Sequence, residues 1–200
     1  MNEAFKDIFI FLRSKEFSSA DGKIHFDNVN MVRSFSEYTR FLVKLSEEKG
    51  TEALRMVRKA GFTASLLSFI NIIKSKKSSF EIMPENQKME LLLMILSSEG
   101  WGIFELAAYE KNSKANIKVK KSFEAEYLNK EKKEANSHCS FIAGFIEAVW
   151  FLAHHSGISV LFEEKIDSLE KHFPENPAAF EKTCSKEGAH FCSFEINKFK

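Results

Sequence analysis

Glu181-Lys182-Thr183-Cys184-Ser185-Lys186-Glu187-Gly188-Ala189-His190-Phe191-Cys192-Ser193-Phe194-Glu195-Ile196 is the stretch on which the reading of this chain turns. It carries two of the three cysteines, with Gly188 midway, where a chain reversal needs a permissive backbone. A tight turn there presents both thiols to one point. Phe191 to Ile196 then alternates as a strand, with Cys192, Phe194 and Ile196 on one face. The remaining cysteine, Cys139, lies early on an apolar helical pattern that includes Phe141, Ile142, Phe145, Ile146, Val149 and Leu152. Asn136 or Ser137 can cap that helix and Gly157 stops it. If the helix packs over the turn, all three thiols face one another. Thiolates joined by one carboxylate or imidazole suit a four-coordinate zinc ion. Spacing leaves the fourth ligand open. Glu181 shares a face with Cys184 if their segment is one helical turn, and His190 and His138 are its rivals. Taken singly, each cysteine is more often a small buried hydrophobe than a ligand.

Working outward, 200 residues suit one domain. The chain holds 21 Phe and only 3 Pro, which points to an aromatic-rich core with regular connections. A net charge of +1, with acids and bases interspersed, gives no electrostatic signature for nucleic acid or an anionic membrane. The apolar run Ile8–Leu12 is too short for a signal sequence or a membrane span. A cytoplasmic location is expected, where thiols stay free, reactive or metal-bound rather than paired.

Along the chain, 18–22 reads as a turn and 23–26 alternates weakly. A helical pattern runs from Asn28 to Glu48 and ends at Gly50. Thr51 opens a second helix towards Lys74, 74–79 is a polar break, and Pro84 leads a third helix from Glu85 to Ser98. Gly100-Trp101-Gly102 changes the regime. Ile103 to Tyr109 reads as a strand and Asn112-Ser113-Lys114 as a turn. Ile117, Val119, Phe123, Ala125 and Tyr127 then share one face of a long strand. Lys118, Lys120, Ser122, Glu124 and Glu126 take the other, and Lys121 intrudes on the apolar face. Residues 128–135 read as a charged loop, Ile158 to Phe162 as a strand, and 165–180 as a short helical pattern broken by Pro174 and Pro177. Helices, then a hairpin, then helix and strands argue an α+β fold with an antiparallel sheet packed against helices. The chain is one domain over 1–200, with a helical part, 1–99, and a sheet and zinc-site part, 100–200.

The C-terminal motif resembles the ending of the 4-vinyl reductase domain family: an acid, Cys, a Gly-containing turn, Cys, and an aromatic–acidic–aliphatic strand. Cys139 to Phe145, Gly100-Trp101-Gly102, Ser122-Phe123-Glu124-Ala125 and Gly22-Lys23-Ile24 are similar to other parts of the family, so the resemblance spans nearly the whole chain. It implies a ligand-binding fold shared with vesicle-tethering subunits of the TRAPP type and with aromatic-sensing domains of bacterial regulators, the fold of NO-signalling and Golgi-transport proteins. It also implies a zinc held by Cys139, Glu181, Cys184 and Cys192. The segment 165–180 is an insertion relative to the family, which makes Glu163 and Glu164 alternatives to Glu181. Two family glycines are Ala64 and Ala148 here.

A site closed by four protein ligands leaves no open position, so the expected zinc is structural. The functional pocket is expected between sheet and helices, lined by Trp101, Phe104, Phe123, Phe145, Val149 and Trp150. Each of these is, taken alone, more often plain core. His154-His155 at a helix end reads as favouring the helix dipole. There is no phosphate loop, nucleophile elbow, paired-His metalloprotease motif or nucleotide-cofactor fingerprint. The expected function is therefore a zinc-stabilised domain that binds a small hydrophobic or aromatic molecule in a sensory or regulatory role, as a homodimer, without nucleic acid or membrane. The resemblance also implies two alternatives: an enzyme or accessory protein of tetrapyrrole metabolism, and a lipid-holding scaffold.

Overall fold

Gly50, at φ 61°, turns the chain into α1 (Thr51–Ile73), which carries apolar residues on the face that meets the rest of the protein. The structure is a computed structural model. It describes residues 50–122, 124–125, 139–161, 166–176, 178–184 and 189–198, and the backbone of 18–20, 23–26 and 29–30. Three short N-terminal strands, β1 (Ser18–Ala20), β2 (Lys23–Phe26) and β3 (Val29–Asn30), pair antiparallel in sequence order. The helix expected from Asn28 therefore does not begin there, because Val29 and Asn30 pair with Phe26 and His25. The rest of that expectation lies outside the described residues.

After α1, a 3-10 turn (Lys74–Lys76) and a short α2 (Lys77–Glu81) occupy the expected polar break, and α2 buries Phe80. Pro84 then precedes α3 (Glu85–Ser98), with the bounds its pattern predicts. The β4 (Ile103–Glu110) and β5 (Lys114–Lys120) hairpin follows. Next come α4 (Ser140–His154), a one-turn α5 (Ile158–Leu161), α6 (Ile166–Leu169) with a 3-10 extension (Glu170–His172), β6 (Ala179–Thr183) and β7 (Cys192–Asn197). The four C-terminal strands form an antiparallel sheet in the order β4-β5-β7-β6. The α+β architecture is thus the one expected.

Two strand expectations fail for local reasons. The long strand to Tyr127 stops at Lys120, because Lys121 adopts φ 51°, a left-handed conformation that breaks a ladder. Its place as a polar intruder on an apolar face was the sequence mark of that break. Ile158 to Leu161 is helical rather than extended: Gly157 at φ 80° turns the chain, and the Val160 N–H donates back to the Gly157 carbonyl.

The sheet covers one face only. Ala115, Ile117 and Val119 of β5, and Cys192, Phe194 and Ile196 of β7, are buried, while their alternates are exposed or half-buried. That face meets α4, whose residues 141–150 are all buried, as a helix apolar on every side requires. Its other side lies against α1. There Gly61 and Gly144 let the two backbones touch: a Cβ on Gly144 would fall 2.0 Å from the Arg58 carbonyl oxygen, and one on Gly61 2.3 Å from that of Phe141. Just beyond this crossing, Arg58 grips Glu147 through two N–H···O bonds of 2.7 and 2.6 Å. Glu147, fully buried, also accepts from the N–H groups of Ala178 and Ala179, and Arg58 donates to the Ala179 carbonyl. One ion pair therefore fastens α1, α4 and the start of β6. By length and composition Glu52–Ile73 is apolar enough to cross a membrane; here 50% of its most apolar window is buried inside the protein.

Gly144→Ala forces these backbones apart. It is expected to lower the unfolding free energy by about 2–3 kcal/mol, read from the urea denaturation midpoint. A loss under about 0.5 kcal/mol, the scale of an indifferent surface change, would mean that the helices do not cross this closely.

Candidate metal centre

Cys139 is the residue that enters α4, not a member of its body, and its thiol is fully buried. Its N–H donates to Oε2 of Glu181 at 2.8 Å. Glu181 and Cys184 converge, but not as the helical turn that would put them together at that spacing. They belong to a strand, in which positions three apart point to opposite faces. The β6–β7 register slips between Glu181 and Thr183: Glu181 faces Phe194, and Thr183 faces Ser193. This bulge leaves both Lys182 and Thr183 on the outer face, where they meet Glu195 and Ser193. It returns Cys184 to the inner side with Glu181. Cys192 opens β7 on the inner face, opposite Val119. Gly188 lies outside the described residues.

The three sulfurs stand 3.7, 3.8 and 3.9 Å apart. A disulfide requires about 2.05 Å. Sulfurs at about 2.3 Å from a tetrahedrally bound zinc stand about 3.8 Å from one another. With a Glu181 oxygen, the four ligand atoms lie within 4.8 Å of one another, so the donors present fit a metal ion. Among the described residues this is the group that can hold one. His190 is exposed, and His138, Glu163 and Glu164 lie outside the described residues.

The protonation tendencies agree with that fit. The Cys139 thiol is pushed well above its ordinary value by hydrogen bonding to the Cys184 and Cys192 thiols and by burial. Burial raises Glu181 as well. Negative charge is disfavoured here unless a cation balances it.

Glu124 is a residue that the sequence reading misplaced. Expected on the solvent face of a strand, it is buried, and its carboxylate accepts from the N–H groups of Phe141 and Ile142 at 3.2 and 3.0 Å. With Glu181 on Cys139, two carboxylates from distant segments take up N–H groups at the start of α4, which has no side-chain cap of its own. Asn136 and Ser137, the expected caps, lie outside the described residues. Burial pushes Glu124 up to about 8, against the pull of its two N–H bonds. Ser122 Oγ lies 4.0 Å from the Cys139 sulfur. No local signal marks such a cap, because donor and acceptor meet only through the fold.

The expected pocket residues are packed together. Trp101 lies edge-on to Phe145 at 4.7 Å and tilted on Phe141 at 5.6 Å, and its indole N–H donates to Glu99. Phe104, Val149 and Trp150 are buried in the same core, and Phe123 lies outside the described residues. A cavity of about 720 Å³ lies beside Cys139 and Glu181. Leu54, Arg55 and Arg58 of α1, Cys139, Ser140 and Ala143 at the start of α4, Phe173 and Pro174, and Ala179, Phe180 and Glu181 of β6 line much of it. Its walls come from four separate segments, so no single stretch announces it.

No family model matches the chain, and no curated protein matches it. Among solved structures, it is similar to the phenol-responsive sensory domain of the transcription activator PoxR, solved with phenol. The likeness has a TM-score of 0.64 at 14% identity, over 99% of this chain and 92% of that one. At this identity it shows a shared fold.

Glu124→Ala strands two buried N–H groups and is expected to lower stability by about 2 kcal/mol. Glu124→Gln keeps an acceptor and should lose less than half of that. Equal losses in chemical denaturation would contradict the capping role.

Proposed function

We propose that this chain is a sensory or regulatory domain that binds a small hydrophobic or aromatic molecule and is stabilised by a structural zinc ion. The observation that carries this reading is the buried triangle of sulfurs, at the edge lengths of a zinc tetrahedron, with one of its members, Cys139, also lining the neighbouring cavity. The fold shared with a phenol-responsive domain supports it.

Four protein ligands close the coordination shell and leave no position for substrate. The ion's work is then mechanical: it ties the start of α4 to the facing ends of β6 and β7, and its binding energy adds to folding. The cavity shares Cys139 and Glu181 with that staple, so the metal also sets one wall of the ligand site. Leu54, Ala143, Phe173, Pro174, Ala179 and Phe180 give that site its apolar surface, and about 720 Å³ is ample for a small aromatic or acyl compound. We propose a second copy of the chain as the partner through which occupancy is signalled.

Native mass spectrometry of purified protein is expected to show one zinc per chain and a dimer. Cys192→Ser is expected to lose the metal and lower Tm by well over ten degrees, as chelation of the wild type should. Three freely titrating thiols with no bound metal would remove the staple. A calorimetric panel of simple phenols, benzoates and medium-chain fatty acids tests the cavity. Phe180 is 44% exposed, so Phe180→Ser should leave stability nearly intact while weakening binding about tenfold, or about 1.4 kcal/mol. Binding unaffected by this change would place the ligand elsewhere.

A further inference from the structure

A second cavity lies at the far end of α4 from the cysteines, about 22 Å along a helix of 15 residues. Its volume is about 500 Å³, and it is lined by Glu81, Glu85 and Lys88 of α2 and α3 and by the exit of α4 from Ala153 to Ile158. That volume falls within the roughly 300–1,000 Å³ of small-molecule sites.

Its defining feature is Lys88. This residue is only 9% exposed, and its ammonium lies 5.4 Å from the centre of the Phe80 ring. Glu85 and Glu81 act on it through space, without a hydrogen bond. Among the described residues no carboxylate stands within ion-pair distance of it. A lysine this covered by its neighbours, with no ion pair among the described residues, is uncommon. Burial accordingly depresses the Lys88 pKa. A methionine would fill the same space without that charge.

The rest of the wall has the opposite sign. Glu81 and Glu85 contribute carboxylates, and the C-terminal end of α4 turns its negative pole this way. His154 is held in place: Nδ1 meets the Trp150 carbonyl at 2.9 Å, Nε2 meets the Tyr109 hydroxyl at 3.1 Å, and its ring stacks on Trp150 at 4.0 Å. Tyr109 in turn reaches Glu85 at 3.3 Å. Gly157, at φ 80°, turns the chain within the cavity's wall.

We propose that this cavity binds a small zwitterion of the amino-acid type, with its carboxylate on Lys88 and its ammonium against Glu81, Glu85 and the α4 terminus. A plain anion would satisfy Lys88 but face two carboxylates, and a plain cation would meet the ammonium. A molecule carrying both charges satisfies both walls. The site is separate from the proposed zinc staple and its neighbouring cavity, and either reading stands if the other fails.

The test uses the full chain, with the twenty common amino acids as single probes and sodium acetate and methylammonium chloride as controls. The readouts are thermal shift and calorimetry. At least one amino acid is expected to bind and raise Tm, with neither control matching it at equal concentration. Lys88→Met is expected to weaken that binding more than tenfold while leaving the Tm of the free protein unchanged or higher. Four results would overturn the proposal: no amino acid binds; acetate does as well as the best amino acid; Lys88→Met still binds; or Lys88→Met lowers the Tm of the free protein. The last would mean that the lysine is kept for its packing on Phe80.

Discussion

The backbone contact between α1 and α4 at Gly61 and Gly144 is the constraint from which the rest of the molecule follows. Two helices normally keep 8–10 Å between their axes because side chains fill the space; here a side chain as small as alanine would overlap a carbonyl. That closeness brings Arg58 within reach of Glu147, although Glu147 lies deep in an apolar helix. A buried carboxylate of this kind is tolerable only when its oxygens are paired and hydrogen-bonded. Glu147 meets that condition with one guanidinium and two N–H groups at the start of β6. Those groups belong to Ala178 and Ala179, so pairing the charge also docks β6. Glu181, two residues further along, then reaches the start of α4.

The start of α4 is where this chain of contacts converges. Two carboxylates meet the N–H groups there, and the thiols of Cys184 and Cys192 meet that of Cys139, the residue that enters the helix. At an effective dielectric of 20, two like charges 4 Å apart repel by about 4 kcal/mol. Several ionised groups in one small volume are therefore not stable together by themselves. Either they hold their protons, as the upward shifts of Cys139, Glu181 and Glu124 describe, or a divalent cation balances them. The sulfur spacing is compatible with the second state.

A helix joining two such ends is also a rigid spacer. α4 carries the cysteine cluster and one cavity at its start, and at its exit a second cavity lined by Lys88, which has no ion pair among the described residues. Its middle is buried on all sides, which leaves little freedom for one end to shift without the other. Any coupling between the two ends would pass through this helix and its grip on α1.

Much of the fold was legible in the residues. The pattern of Glu85–Ser98, the alternation of Cys192, Phe194 and Ile196, and the turn signals around Asn112 all rest on near-neighbour periodicity, which survives in a single sequence. The three cysteines were legible as a set, because few side chains other than thiols, acids and histidines bind a metal, while Glu181 was singled out from its rivals His190 and His138 only by the family resemblance. Their geometry was not: Glu181 and Cys184 share a side through a strand bulge, and a bulge depends on the partner strand. The caps on α4, the cavity walls and the burial of Lys88 all depend on contacts between segments apart in the chain. The sequence by itself determined which segments are regular, which faces are apolar and which residues can hold a metal. Only the tertiary structure decided where charge is paired and where space is left, because pairing and packing are set by distances between segments that no local pattern encodes.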